Sequence, residues 1–115
     1  PAFTGTEWVA VSIGETPAIE GVRSTVLFDA EGRGSGNAGC NSFHGSYQVE
    51  GDRLTLGPLA STRMLCPGPQ QEQEDLFLAR MHGVERFEIV DGVLRLHPEG
   101  AGEPIRFTPS GGSAD

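Results

Sequence analysis

Apolar and polar residues alternate along this chain over short stretches, and glycine or proline interrupts the alternation about every eight to twelve residues. This rhythm predicts short β-strands joined by turns. We expect a loop over residues 14–21 and a further extended segment over residues 59–65. The predicted strands cover residues 8–13, 23–29, 33–38, 43–50, 54–56, 85–90, 93–97 and 105–108.

One helix is predicted over residues 70–82, because Pro69 suits the first helical turn, where no backbone N–H is needed. Phe77 and Met81 supply its apolar stripe, and Gly83 is expected to end it in a left-handed conformation. Three acidic residues near the start are interpreted as stabilising the positive end of the helix dipole. They are Glu72, Glu74 and Asp75.

The order of these elements predicts the α+β class. About eight short strands followed by a late helix favour a mostly antiparallel, curled sheet, a partly open barrel that packs on the helix at 70–82. A chain of 115 residues supports one core and therefore one domain, which we place at residues 1–109. Residues 110–115 are rich in glycine and serine and are predicted to form a disordered C-terminal tail.

Charge narrows the range of partners. Sixteen acidic residues stand against eight basic ones, all of them arginine, for a net charge of −8. An acidic surface repels phosphate backbones, so nucleic acid is not expected as a partner. No apolar run approaches the roughly 18 residues of a spanning helix, so we expect no direct membrane insertion.

The chain starts at Pro1 without a leader-like stretch, and we expect that a leader has been removed.

The chain has only two cysteines, Cys40 and Cys66. They would form a disulfide in an oxidising compartment and remain buried thiols in the cytosol. We favour the disulfide, which would contribute roughly 3 kcal/mol by restricting the unfolded chain. Buried free thiols stay open as an alternative, as does a reactive Cys40 with His44 as its base. Two cysteines without CxxC spacing do not provide the ligands for zinc.

The other polar residues are interpreted as structural, not as catalytic or metal-binding. The Asn41 amide can mimic a backbone turn, and Arg63 is expected to stack on Tyr47 or to pair with a carboxylate. No nucleophile, base and orienting group can be assembled, so we expect no catalytic residues and no cofactor. The three histidines lack the spacing of a metal site and are interpreted as solvated or hydrogen-bonded: His44, His82 and His97.

Several motifs follow each other in an order typical of a known family. They are Gly5-Thr6-Glu7-Trp8, Gly39-Cys40-Asn41, Ser61-Thr62-Arg63-Met64 and Glu74-Asp75-Leu76-Phe77. With them the chain resembles the META domain family, the HslJ-like group of exported bacterial proteins and lipoproteins. The resemblance implies a compact, mostly antiparallel β fold with one helix, export, and a stress-related role near the cell envelope; it carries over no catalytic residue. Matching positions expected to be structural are Trp8, Gly39, Asn41, Gly45, Tyr47, Ser61, Thr62 and Met64.

From the residues and the resemblance together we expect a non-enzymatic, exported module with a structural or protein-binding role at the envelope. It would be a monomer in the periplasm, at the cell surface or in the medium, with a lipid-anchored precursor as one possibility. The expected contact surfaces are the connections at residues 13–21 and 98–104. One alternative is a peptidase inhibitor that presents a rigid exposed loop. The other is a binder of a hydrophobic small molecule or lipid, with a cavity lined by Phe28, Phe43 and Phe87.

Overall fold

The computed structural model describes residues 2–110, which form ten β-strands and one α-helix. Nearly all the strands follow the alternating segments of the sequence. In chain order the elements are β1 Glu7–Ile13, β2 Thr16–Pro17, β3 Thr25–Phe28, β4 Arg33–Asn37, β5 Ser42–Glu50, β6 Arg53–Leu56, β7 Ala60–Ser61, α1 Gly68–Met81, β8 Val84–Val90, β9 Val93–Pro98 and β10 Ile105–Pro109.

Eight of the strands form a closed antiparallel barrel. Around it they run β1, β3, β4, β5, β6, β8, β9 and β10, and β10 pairs again with β1. The two short strands are additions, β2 on β1 and β7 on β5. The thinnest junction is between β6 and β8, where Arg53 and Arg86 are the one paired position. The predicted curled antiparallel sheet with one helix is therefore confirmed, and the sheet curls far enough to close.

The helix covers one end of the barrel. Phe77 and Met81 are fully buried, as the apolar stripe of the sequence predicts. The Phe77 ring meets Phe43 of β5 edge-on at a centroid distance of 5.7 Å and Phe107 of β10 at 6.1 Å. An interior of eight strands is just wide enough for side chains to fill it. The helix thus completes the core at the end where β4 leads into β5.

The segment before β1 covers the opposite end. The ring of Phe3 stacks on Phe28 at 4.4 Å and on Phe87 at 4.3 Å, and meets Tyr47 edge-on at 5.9 Å. The Trp8 indole N–H donates to the Phe3 carbonyl at 3.2 Å, which fixes the segment against the barrel. Aromatic side chains therefore fill the end at which the β3–β4 turn lies.

The strand β4 carries glycines because neighbouring groups come very close to its backbone. A Cβ on Gly36 would lie 2.1 Å from the carbonyl oxygen of Thr25, and a Cβ on Gly34 would lie 3.3 Å from the Phe28 ring. The nearly side-chain-free sequence of this strand thus reflects tight packing of β3 on β4.

Several local expectations were wrong or incomplete. The predicted loop at 14–21 contains β2, and only Ala60–Ser61 of the expected extended segment 59–65 pairs as a strand. The helix begins at Gly68 and has no acidic residue in its first turn, so the expected dipole role of the acidic residues fails. It ends on His82 in a right-handed conformation, not on a left-handed Gly83, and the chain passes directly into β8.

The predicted C-terminal tail, residues 110–115, falls almost wholly outside the described residues. Of these six positions only Ser110 is described. Its N–H donates to the Glu7 carbonyl at 2.8 Å, and its hydroxyl accepts a hydrogen bond from Arg23 at 2.8 Å. Ser110 therefore continues the edge contacts of β10 with β1.

Candidate functional site

A buried carboxylate on the helix binds the turn between β4 and β5. Glu74 is 4% exposed. Its Oε1 accepts hydrogen bonds from the backbone N–H groups of Cys40 at 3.0 Å and Asn41 at 2.6 Å. Its Oε2 accepts a third from the Asn41 side-chain amide at 2.7 Å. Three donors therefore converge on one carboxylate in the interior.

These donors determine the charge state of the carboxylate. Burial raises the pKa of Glu74, because the charged form loses its hydration. The hydrogen bonds from the Asn41 side chain and from the two backbone N–H groups stabilise the charged form and outweigh burial. The pKa of Glu74 therefore lies below its ordinary value, and the group is ionised at neutral pH.

The Asn41 side chain also forms hydrogen bonds with a second segment, residues 62–64. Its Oδ1 accepts hydrogen bonds from the Thr62 hydroxyl at 2.9 Å and from the Met64 N–H at 2.7 Å. Its Nδ2 also donates to the Met64 carbonyl at 3.2 Å. Asn41 is 2% exposed, so these bonds form away from water. One asparagine thus links the β4–β5 turn, the helix and the segment that follows β7.

A covalent bond reinforces this link. Cys40 and Cys66, the two cysteines of the chain, form a disulfide with a Cα–Cα distance of 6.3 Å. The structure thus contains a bond where free thiols or a reactive Cys40 were the alternatives. We refer to Asn41, Glu74 and the disulfide as the clamp. It holds residues 62–66 at both ends.

Between the clamped positions, apolar side chains point into solvent. Leu65 is 100% exposed and Met64 is 58% exposed. An open cleft of about 440 Å³ separates residues 61–65 from the helix side chains Gln71, Asp75 and Leu78. Residues 62–66, which we call the clamped loop, therefore stand away from the helix although their backbone is fixed.

Comparison with known protein families assigns the chain to one of them. The family model of the META domain matches residues 1–111. The chain belongs to the META domain family. No curated protein sequence matches it significantly. Neither the family description nor the titles of the similar solved structures name an enzyme.

Solved structures share the fold of this META domain. An NMR structure of a protein from Burkholderia xenovorans is 24% identical, covers 94% of this chain and 83% of its own, and has a TM-score of 0.75. A second NMR structure is 24% identical over 90% of this chain and 87% of its own, with a TM-score of 0.69. The crystal structure of a DUF4847 family protein from Bacteroides vulgatus is 18% identical over 92% and 93%, with a TM-score of 0.68. At these identities the likeness concerns the fold alone.

The structure brings some of the family-motif positions of the META domain together and leaves others apart. Gly39, Asn41, Thr62 and Met64 meet at the clamp. A Cβ on Gly39 would lie 3.0 Å from the Gln70 carbonyl and 3.2 Å from the Glu74 nitrogen, so glycine allows the helix to approach the turn. The remaining positions lie in the barrel wall or its ends: Trp8 in β1, Gly45 and Tyr47 in β5, and Ser61 in β7.

The wall positions have packing contacts of their own. A Cβ on Gly45 would lie 2.8 Å from Leu59, and Ser61 pairs with Phe43. Tyr47 packs edge-on against Phe28 at 5.1 Å, and its hydroxyl donates to the Asp29 carbonyl. Burial, and then the neighbouring charges of Asp29 and Glu31, raise the pKa of Tyr47.

The expected contacts of Arg63 do not form. Tyr47 packs against the aromatic end of the barrel, and Arg63 is exposed without a salt bridge among residues 2–110. Asp75 accepts a hydrogen bond from Gln71 at 2.9 Å, and Glu72 lines a surface cleft. The acidic residues of the helix thus have three different environments.

The histidines are dispersed over the META domain. His44 Nδ1 lies 3.3 Å from the Arg33 guanidinium, and His97 Nε2 lies 2.7 Å from Glu88. Hydrogen bonding with His97 lowers the pKa of Glu88. His82 caps the end of the helix at the surface. Within the described part of the chain, no group of three potential ligands could hold a metal ion.

The structure also shows where the predicted contact loops and the residues of the predicted cavity lie. Gln73 ties residues 13–21 to the helix through a hydrogen bond from the Ile19 N–H at 2.6 Å. Residues 99–103 are exposed. The three phenylalanines proposed as a cavity lining do not meet around a common space: Phe28 and Phe87 stack on Phe3, and Phe43 packs on Phe77. No helix among residues 2–110 is long and apolar enough to span a membrane.

Sequence reasoning missed the two buried polar residues of the helix. Gln73 accepts from Ile19 and donates to the Val22 carbonyl at 3.1 Å and the Ser24 hydroxyl at 2.9 Å. A signal was available, because Gln73 and Glu74 precede Phe77 by four and three positions and so share its buried face. Polar residues on an apolar stripe predict internal hydrogen bonds.

Proposed function

We propose that this META domain is a non-enzymatic, exported protein-binding module of the cell envelope, and that its clamped loop is the contact surface. The observation that carries the proposal is the full exposure of Leu65 beside a half-exposed Met64. A leucine without any burial forfeits roughly 1.5–3 kcal/mol of hydrophobic stabilisation in the free protein. Binding to an apolar pocket recovers that stabilisation.

The clamp lowers the entropic cost of binding a partner through the exposed Leu65 side chain. Binding usually has an entropic cost, because contact side chains and loops must become ordered. In the clamped loop, Asn41 and the disulfide already fix the backbone on both sides of Leu65. Residues 13–21, in contrast, contact the domain's own helix through Gln73. We therefore place the contact at residues 62–66 instead of at the loops expected from the sequence.

The compartment belongs to the same proposal. A disulfide persists in oxidising environments such as the periplasm or the cell exterior. Membership of the META domain family supports an envelope-associated role. The proposed module acts as a monomer, without a cofactor, and its acidic charge excludes nucleic acid from its partners. The proposal includes anchoring through a lipidated precursor and a link to stress.

Site-specific cross-linking tests the contact surface. A photoreactive amino acid would replace Leu65 in one variant and Val49 in a matched control, because Val49 is a second exposed aliphatic residue near the β5–β6 turn. After irradiation of cells that export the protein, the proposal predicts a discrete protein adduct from position 65 in the envelope fraction and none from position 49. Equal labelling at both positions, or none at position 65, would contradict it.

A further inference from the structure

The clamped loop is a piece of chain whose backbone is hydrogen-bonded at Thr62 and Met64 and unbonded at Leu65. Residues 62–67 contain no turn, bend or strand pairing. Among the described residues, the hydrogen bonds of this segment involve Thr62, Met64, the Cys66 sulfur and the Pro67 carbonyl, whereas the Leu65 N–H and carbonyl are not among the bonded groups. An extended backbone with free polar groups can pair with a second chain in the manner of an added β-strand.

Leu65 is exposed, whereas the residues on either side of it are bonded to the rest of the domain. Leu65 projects fully into solvent, Met64 before it is bonded to Asn41 through both its N–H and its carbonyl, and Cys66 after it is bonded to Cys40. The chain before the Leu65–Cys66 peptide bond is therefore attached to Asn41, and the chain after it is attached to the adjacent residue, Cys40. A fully exposed leucine on a fixed backbone is complementary to a deep pocket, not to a flat surface.

We propose that the partner is a serine endopeptidase whose specificity pocket accepts a leucine-sized side chain, and that the domain inhibits it. This inference rests on the proposed protein-binding function and names its partner. Endopeptidases bind extended segments and select one side chain with a deep pocket. A rigid loop that already has the bound shape loses little entropy on binding, and interfaces of this kind reach high affinity at moderate size.

The clamp also explains why such a complex would not simply be a substrate complex. Attack on the Leu65 carbonyl would break the Leu65–Cys66 C–N bond, and water would supply the hydroxyl of the new carboxyl group and a proton to the new amine. The new carboxyl end would remain bonded to Asn41 through Met64, and the new amino end would remain bonded to Cys40. Both ends would stay in place, so release would be slow and reformation of the bond would compete with it.

An inhibition assay with purified enzymes tests the inference. The oxidised chain would be titrated against subtilisin and chymotrypsin, both of which have hydrophobic specificity pockets, with a chromogenic peptide as the reporter substrate. We expect saturable inhibition, and an inhibition constant that rises about 30-fold or more in Leu65→Asp. Val49→Asp serves as the matched control and should inhibit like the wild type. Circular dichroism would establish that both variants are folded.

A second variant keeps the test decisive. In Cys40→Ser/Cys66→Ser the loop loses one tether, and we expect it to be cleaved between residues 65 and 66 and to lose inhibition. The inference is overturned if the wild type inhibits neither enzyme, if Leu65→Asp inhibits as well as the wild type, or if the wild type is cleaved as fast as the double variant. A cross-link from position 65 to a protein that is not a peptidase would overturn the inference and leave the proposed binding function in place.

Discussion

Replacement of Glu74 tests whether the carboxylate is the centre of the clamp. In Glu74→Gln one oxygen still accepts from the two backbone N–H groups, but the new amide nitrogen faces the Asn41 Nδ2 donor. One buried hydrogen bond is lost and two donors oppose each other. A buried donor without a partner costs about 1–3 kcal/mol. Since the Asn41 side-chain contact that is lost is buried and only 2.7 Å long, we expect a loss in this range.

Glu74→Ala removes all three acceptor contacts and extends the series. The two backbone N–H groups and the Asn41 amide then lose their partner together, and we expect a loss of about 3–5 kcal/mol, moderated by water that enters the space. For a chain of this length, 1 kcal/mol corresponds to about 4 °C in Tm. Total stability of a small domain is about 5–15 kcal/mol, so Glu74→Ala should remove a large share of it.

Urea denaturation of the oxidised protein at pH 7 measures this series. Glu72→Gln is the matched control, because Glu72 lies two positions earlier on the exposed side of the same helix. It should change the free energy of unfolding by less than about 0.5 kcal/mol. If Glu74→Gln also stays within about 0.5 kcal/mol of the wild type, the carboxylate does not hold the turn, and the account of the clamp is refuted.

Three further predictions follow from neighbouring features. Because the folded-state pKa of Glu74 is lowered, the unfolded chain binds more protons, and the stability that the carboxylate provides is lost as pH falls below the ordinary glutamate value of about 4.3. The stability gap between wild type and Glu74→Gln should therefore narrow below that pH in urea titrations; a constant gap would contradict the assignment. Cys40→Ser/Cys66→Ser should lower the free energy of unfolding by about 3–4 kcal/mol, and an unchanged urea midpoint would argue against the disulfide as a stabilising bond. Gly36→Ala should cost about 3 kcal/mol or more, because its Cβ would lie 2.1 Å from a backbone oxygen, whereas Gly68→Ala, with open space around it, should be neutral or slightly stabilising. Thermal melts that fail to separate these two glycine variants would contradict the packing of β4.

The sequence predicted the strands well wherever alternation is long enough to define a period. The segments that became β1, β5, β8 and β9 are each six residues or longer. Two-residue strands such as β2 and β7 are too short to show a period, so their pairing was not predictable. Closure of the barrel depends on β1 pairing with β10 almost a hundred positions away, and local pattern contains no information about such a contact.

The site was predictable only in part. Asn41 was expected to mimic a backbone turn, whereas its amide bonds to Met64 and to Glu74, which lies 33 positions later and was assigned to the helix dipole. The exposure of Leu65 was also hidden, since a leucine in an apparently alternating segment indicates burial. Its backbone follows the clamp instead of a sheet, and this depends on the joint geometry of Asn41, Met64 and Cys66. Side-chain hydrogen bonds between distant segments leave little trace in a single sequence.

The most direct test of the central claim is a measurement of backbone motion in the clamped loop. Nitrogen-15 relaxation of the oxidised protein gives an order parameter for each N–H group. If the clamp fixes the loop while leaving Leu65 exposed, the order parameters at residues 63–65 should be close to the rigid-backbone value of about 0.85. Values below about 0.6 at these residues would mean that the exposed leucine sits on a flexible segment, and they would contradict a loop prepared for binding.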